Sequence, residues 1–341
     1  MKKSKKTINI ILLLAATILV LYFMLRDNYD AIIHEIVNIN LFYLIIALIF
    51  IFGYWFFKAI ILYDVSKTFK EKYTFKKAFR IQLLTHFFNA ITPFASGGQP
   101  FQLYSLKKDG FNYNDGTNIV MQEFIIYQLS LVTLGIIAII YNAIFELFPE
   151  VKLLEYLVAL GFLINFFVIV VLFILAYFKK VDQFLVKITI NLLIKFHIVK
   201  KNKKEETLNK WDEHIERFNV GAHKLTENKL RFIKLYLLSL VALVLLYLIP
   251  CVLLYGMGDF TSVTPIKAII ASAYVMLIGS FVPIPGGTGG LEYGFIAFYG
   301  NFITGPVLSA LMLIWRVVTY YFGLILGAIM VNIRGKSIEW E

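Results

Sequence analysis

The chain has 341 residues, of which 59% are hydrophobic and only 16% charged, with a net charge of +11. A soluble domain of this length would not carry Phe, Leu and Ile in runs with no polar face, so the composition excludes a soluble globular class and defines a polytopic membrane protein. The basic excess is mostly the positive-inside bias of cytoplasmic loops, and the single cysteine, Cys251, excludes an intramolecular disulfide or a cysteine metal cluster.

In chain order, the four lysines between Met1 and Lys6 precede an apolar run from Ile8 to Leu25. Tyr22-Phe23-Met24-Leu25-Arg26 stand where a signal peptidase needs small residues, so the run reads as an uncleaved first crossing. Arg26 to Asn40 holds a single arginine amid Asp27, Asp30 and Glu35, which places the N-terminus in the cytoplasm. Leu41 to Tyr63 returns inward to Lys67, Lys70, Lys72, Lys76, Lys77 and Arg80. The apolar residues 81–106 lie between that cluster and Lys107 and Lys108, so both of their ends are cytoplasmic. They form a first re-entrant hairpin, or else two short spans.

Asn118 to Tyr141 crosses outward to Glu146 and Glu150, and Leu153 to Phe178 comes back. Residues 179–231 hold thirteen Lys or Arg against seven Asp or Glu and form a cytoplasmic loop. Within it Val181, Phe184, Leu185, Ile188, Leu192 and Phe196 follow helical spacing, which predicts an amphipathic helix at the interface whose lysines attract anionic lipid head groups. Lys200-Lys201-Asn202-Lys203-Lys204 lacks aromatic interleaving, so no nucleic-acid partner is expected. Phe232 to Tyr255 crosses outward, residues 266–302 form a second hairpin entering from outside, and Val307 to Asn332 goes inward. The expected fold is an all-α polytopic membrane protein, one membrane domain over 1–341, with six full transmembrane helices plus two re-entrant helical hairpins as inverted repeats. Both termini are cytoplasmic and the location is the cell membrane.

Two breaker clusters interrupt the hairpins, Asn89-Ala90-Ile91-Thr92-Pro93-Phe94-Ala95-Ser96-Gly97-Gly98-Gln99-Pro100 and Pro283-Ile284-Pro285-Gly286-Gly287-Thr288-Gly289-Gly290-Leu291-Glu292. Breaks at bilayer depth leave amides and carbonyls without partners, so they persist only where packed in protein or lining a wet cavity, and in transporters they mark substrate sites. At an offset of 190 residues Pro93 falls on Pro283, Gly97 on Gly287 and Gln102 on Glu292, a weak internal echo.

An ionisable group inside a crossing is a functional candidate because it costs about 2.5–3.5 kcal/mol to insert. Glu123, Glu292, Arg316 and His86 qualify. Lys58 reads as a residue that snorkels to the cytoplasmic side, and His86 as hydrogen-bonded structure in preference to a proton relay. His34, His86, His197, His214 and His223 show no metal spacing, no nucleotide or hydrolase motif is present, and no cofactor is expected.

An asparagine followed by Pro and Gly-Gly, then Pro-x-Pro-Gly-Gly-x-Gly-x-x-Glu with an arginine in the last helix, resembles the lysylphosphatidylglycerol synthase transmembrane-region family of flippase-like membrane proteins, over about residues 8 to 333. The matching positions are Asn89, Pro93, Gly97, Gly98, Glu123, Pro283, Pro285, Gly286, Gly287, Gly289, Glu292 and Arg316. Gln99 and Gln102 stand where many members have Glu and Arg, and Phe124 where they have Arg. The chain ends nine residues after its last predicted span, so the resemblance implies the flippase half without an aminoacyl-transfer domain. It implies movement of a phospholipid, such as an aminoacyl-phosphatidylglycerol, across the bilayer. Arg316 would pair with the phosphate, and Glu292 and Glu123 would hold the arginine or a cationic head group. The alternatives are a membrane lipid transferase, phosphatidylglycerol lysyltransferase-like or acting on a lipid-linked sugar with Glu292 as general base, and a scaffold subunit for a glycosyltransferase. The expected partners are membrane phospholipids, with a homo-oligomer and a separately encoded lipid-modifying enzyme also open.

Overall fold

The computed structural model describes residues 29–195 and 204–333. The predicted first crossing, Phe196, the lysines at 200, 201 and 203, and the C-terminal tail lie outside them. Every described element is helical. In chain order these are α1 (Tyr29–Val37), α2 (Leu41–Lys67), α3 (Phe75–Ala90), α4 (Gly98–Lys108), α5 (Tyr113–Phe145), α6 (Lys152–Tyr177), α7 (Lys179–Lys195), α8 (Lys204–Glu227), α9 (Lys229–Gly256), α10 (Pro265–Gly279), α11 (Gly290–Tyr299), α12 (Gly305–Arg316) and α13 (Phe322–Ile333). Among the described residues five stretches are long and apolar enough to cross a membrane: α2, α5, α6, α9 and the run Gly305–Val331. Each corresponds to a predicted crossing. The chain is thus an all-helical, multi-pass membrane protein.

Side-chain caps set where several of these helices start. Asn40 Oδ1 accepts from Phe42 N at 2.9 Å and Asn228 Oδ1 from Arg231 N at 3.0 Å, satisfying amides that have no partner inside the helix. Pro265 occupies the first turn of α10, where its missing N–H costs nothing.

The two breaker clusters fold as helix–turn–helix pairs. In the first, α3 and α4 are joined by a tight turn at Pro93–Ala95; in the second, α10 and α11 are joined at Pro285–Gly287. Their bases lie at opposite ends of the bundle. Lys70 Nζ donates to Asp109 O at 2.8 Å, which ties the first pair to the end where α2 terminates. Cys251 Sγ lies 3.3 Å from Val263 O and Asn40 N donates to Gly256 O at 2.8 Å, which ties the second pair to the end where α2 begins. The two turns then pack on each other in the middle.

The internal echo is real, but its register is 192 residues, not 190. Pro93 matches Pro285, because each opens a turn whose next two residues have positive φ: Phe94 at 54° and Ala95 at 50°, Gly286 at 68° and Gly287 at 63°. Ser96-Gly97-Gly98 then matches Thr288-Gly289-Gly290, and α4 and α11 start at the same point of the pattern. Pro283, two residues ahead of Pro285, precedes the second turn and has no counterpart at its opening.

Three further differences from expectation follow from packing. The helix pairs run over 75–108 and 265–299, the first longer than the expected 81–106 and the second ending three residues short of 302. The basic segment holds two helices, α7 and α8, packed on each other, and Phe184, Leu185, Ile188 and Leu192 of α7 are exposed. The last crossing is interrupted by a five-residue π-helical turn, Val317–Tyr321, directly after Arg316. Beyond it, Gly323 and Gly327 form a small-xxx-small groove against α3: a Cβ on Gly323 would come within 2.3 Å of the His86 ring and one on Gly327 within 2.3 Å of Phe87 Cβ.

Candidate functional site

The second turn places its charges through local geometry. Glu292 stands in the first turn of α11, where its Oε2 accepts from Gly289 N at 2.7 Å, a cap that also suits the positive end of the helix. Arg316 is the last residue of α12, and its Nε lies 2.7 Å from Glu292 Oε1. The Nε–H is not directed along that line, so proximity of charge rather than an aligned hydrogen bond holds the pair. Arg316 Nη2 donates to Gly286 O at 3.2 Å and to Thr288 Oγ1 at 3.3 Å, and the guanidinium sits 4.5 Å from the Tyr320 ring centroid. Both charged residues are buried, Glu292 at 6% and Arg316 at 4% exposure.

The first turn has its own centre. Glu123, buried ten residues into α5, accepts from Gln82 Nε2 of α3 through Oε1 and from Gln102 Nε2 of α4 through Oε2 at 2.7 Å. One carboxylate therefore clasps both arms of the hairpin. Asn89 Oδ1 accepts from Gly98 N at 2.8 Å and Thr92 Oγ1 from Gly97 N at 2.8 Å, which closes the turn from inside. Lys58 does not snorkel. Its Nζ lies 3.5 Å from Glu123 Oε1 and 5.0 Å from the Tyr127 ring centroid, because Lys58 stands nine residues before the end of α2 and a buried carboxylate beside it attracts it more strongly than the distant interface does.

The two centres share one cavity of about 550 Å³ between the turns, α2, α5, α6 and α12. Asn89, Gln99, Gln102, Glu123, Gly286, Gly287 and Arg316 line it, as do Lys58 and His86. Glu292 stands behind Arg316, while Pro93, Gly97, Gly98, Pro283, Pro285 and Gly289 build the turns and do not line the cavity. His86 Nε2 is 3.2 Å from Thr319 O and its ring packs on Trp55, in keeping with a structural role. Among the described residues no group of His, Cys, Asp or Glu could hold a metal.

Sequence reasoning missed Lys58, Gln82 and Tyr320. Gln82 carried a signal, an amide inside an apolar run; Tyr320 carried none, because only the π turn brings its hydroxyl 3.0 Å from Ala90 O. Gly286 illustrates how tightly this junction is built: a Cβ there would lie 2.3 Å from the Tyr320 ring, on a backbone at φ 68°. Gly286→Ala is expected to lower the melting temperature of the purified protein by several degrees, from strain of about 1–2 kcal/mol plus displacement of the ring; an unchanged melting curve would mean that the turn is free to move.

Two broken helix pairs whose turns meet on a charged cavity inside a bundle of membrane-spanning helices define a polytopic integral membrane protein. The chain belongs to the family described as the lysylphosphatidylglycerol synthase TM region, whose model matches residues 9–327. It is 25% identical over 313 residues to a UPF0104 membrane protein of Archaeoglobus fulgidus, with 87% of this chain and 88% of that one covered.

Proposed function

We propose that the protein moves a phospholipid head group across the bilayer through the cavity between the two turns, while the acyl chains stay in lipid. The observation that carries this reading is the meeting of two half-helix N-termini, α4 and α11, beside the buried Arg316 and the partly exposed Lys58. Helix N-termini favour anions through the macrodipole, and they do so more strongly away from water. The C-termini of α3 and α10 end at the same junction and supply carbonyls, so the site offers polar partners for a whole head group in place of water. Family membership supports the same reading. A transferase with Glu292 as base is disfavoured, since both oxygens of that carboxylate are already engaged.

Reconstitution into liposomes containing quenchable fluorescent phospholipids tests the function. Faster loss of inner-leaflet protection than in protein-free vesicles is the expected outcome, and equal rates would refute lipid movement.

In this reading the protein sits in the cell membrane with both termini in the cytoplasm, the first hairpin re-enters from the cytoplasm and the second from outside, and α7 rests on anionic lipid. Lys72 and Glu150 are exposed at opposite ends of the bundle, and the native Cys251 is buried. Lys72→Cys is therefore expected to react with an impermeant maleimide only from the cytoplasmic side, and Glu150→Cys only from outside. Labelling of both from one side would break the inverted arrangement.

A further inference from the structure

The cations of the cavity are not equally available. Arg316 spends its guanidinium on the second turn: Nε beside Glu292 Oε1 at 2.7 Å, Nη2 on Gly286 O and Thr288 Oγ1, and its face on Tyr320. Its side chain is only 5% exposed. The carboxylates are equally committed, Glu292 to Arg316 and Gly289 N, Glu123 to Gln82 and Gln102. Lys58 differs. Its side chain is 20% exposed and faces the cavity, its nearest carboxylate oxygen is 3.5 Å away, and among the described residues it makes no hydrogen bond. An ammonium carries three donors and no acceptor. The rings of Tyr127 and Tyr54, 5.0 and 5.9 Å from Nζ, hold the charge in place without consuming those donors.

Building on the lipid-movement reading, we propose that Lys58 is the group that receives the phosphodiester, that Arg316 is a positioning residue for the second turn, and that the cavity selects a net-negative phospholipid head group over zwitterionic or net-positive ones. The selectivity follows from what is left unspent. A bound anion completes the donors of Lys58, whereas a bound cation finds no carboxylate that is not already engaged. Charge-assisted hydrogen bonds to a phosphate oxygen inside a low-dielectric cavity are the strong kind, so the preference rests on one residue to a large degree.

The test uses fluorescent phosphatidylglycerol, phosphatidylethanolamine and lysylphosphatidylglycerol in separate liposome preparations, together with thermal shifts in detergent on adding short-chain forms of the same lipids. The wild type is expected to move phosphatidylglycerol fastest and to be stabilised by it most. Lys58→Gln keeps a donor toward Glu123, whose two glutamine partners remain, and is expected to cut phosphatidylglycerol movement and binding by roughly tenfold or more, with a smaller fall in the lipid-free melting temperature than Arg316→Gln, and Lys58→Arg to restore both. A merely structural lysine would shift the lipid-free melting temperature and slow all three lipids alike. The proposal is overturned if Lys58→Gln handles phosphatidylglycerol as the wild type does, or if the wild type favours the lysyl lipid. If the wild type moves none of the three but is stabilised by phosphatidylglycerol through Lys58, the transport reading fails and the head-group site stands. If it neither moves nor binds any of them, both fall.

Discussion

Arg316→Gln and Glu292→Gln are each expected to lower stability by about 3–5 kcal/mol, and the double variant to recover much of that loss. Removing one partner strands the other charge in a site where each is less than a tenth exposed. Removing both leaves two amides that can bond to each other. Recovery is incomplete, since Gly286 O and Thr288 Oγ1 lose a charged donor worth about 1.5–3 kcal/mol; a glutamine at 292 still offers an oxygen to Gly289 N. Denaturant titrations of the three variants in detergent give the coupling energy directly. Strictly additive losses would show that the two residues act independently in the folded protein. Lipid movement measured on the same variants adds a second reading: a double variant with restored stability but no transport would place Arg316 on the substrate itself.

The second large effect belongs to Glu123. Its two oxygens hold Gln82 on one arm of the first hairpin and Gln102 on the other, with Lys58 nearby. Glu123→Leu removes the acceptor for two buried amides and the counter-charge of a lysine at once, and is expected to cost about 3–5 kcal/mol. The damage should be local before it is global, so hydrogen exchange over residues 75–108 should rise well above that of the rest of the bundle. Glu123→Gln keeps one acceptor and is expected to lose less than half as much. Equal exchange across the whole molecule in Glu123→Leu would mean that the carboxylate does not clasp the hairpin.

The five described crossings were legible because long apolar runs are a direct consequence of bilayer thickness. The hairpins were legible because Pro and Gly clustered within a few residues disfavour an unbroken helix. The Arg316–Glu292 pair was legible too, since intramembrane charges demand partners. Lys58 was not, because its direction depends on the depth of Glu123 in a different helix, and spacing along one chain cannot say whether a lysine reaches outward or inward. The register of the repeat was hidden for a similar reason. Phe94 and Ala95 occupy positive φ without glycine, so the matching turns look unlike each other in sequence while sharing a backbone. The groove at Gly323 and Gly327 was present as a small-xxx-small pattern, but nothing in the sequence identified the helix it would receive.

The π turn gives the last crossing two phases. Each residue advances an α-helix by about 100°, and a π turn amounts to one residue inserted into that winding. Ahead of Val317 the helix turns Arg316 toward the second hairpin; beyond Tyr321 it turns Gly323 and Gly327 toward the first. A straight helix could present one of these faces correctly but not both. Chain length through Val317–Tyr321 is therefore as constrained as side-chain identity: shortening it by a single residue would swing α13 by more than a quarter of a turn and bring bulkier neighbours of the glycines against His86 and Phe87.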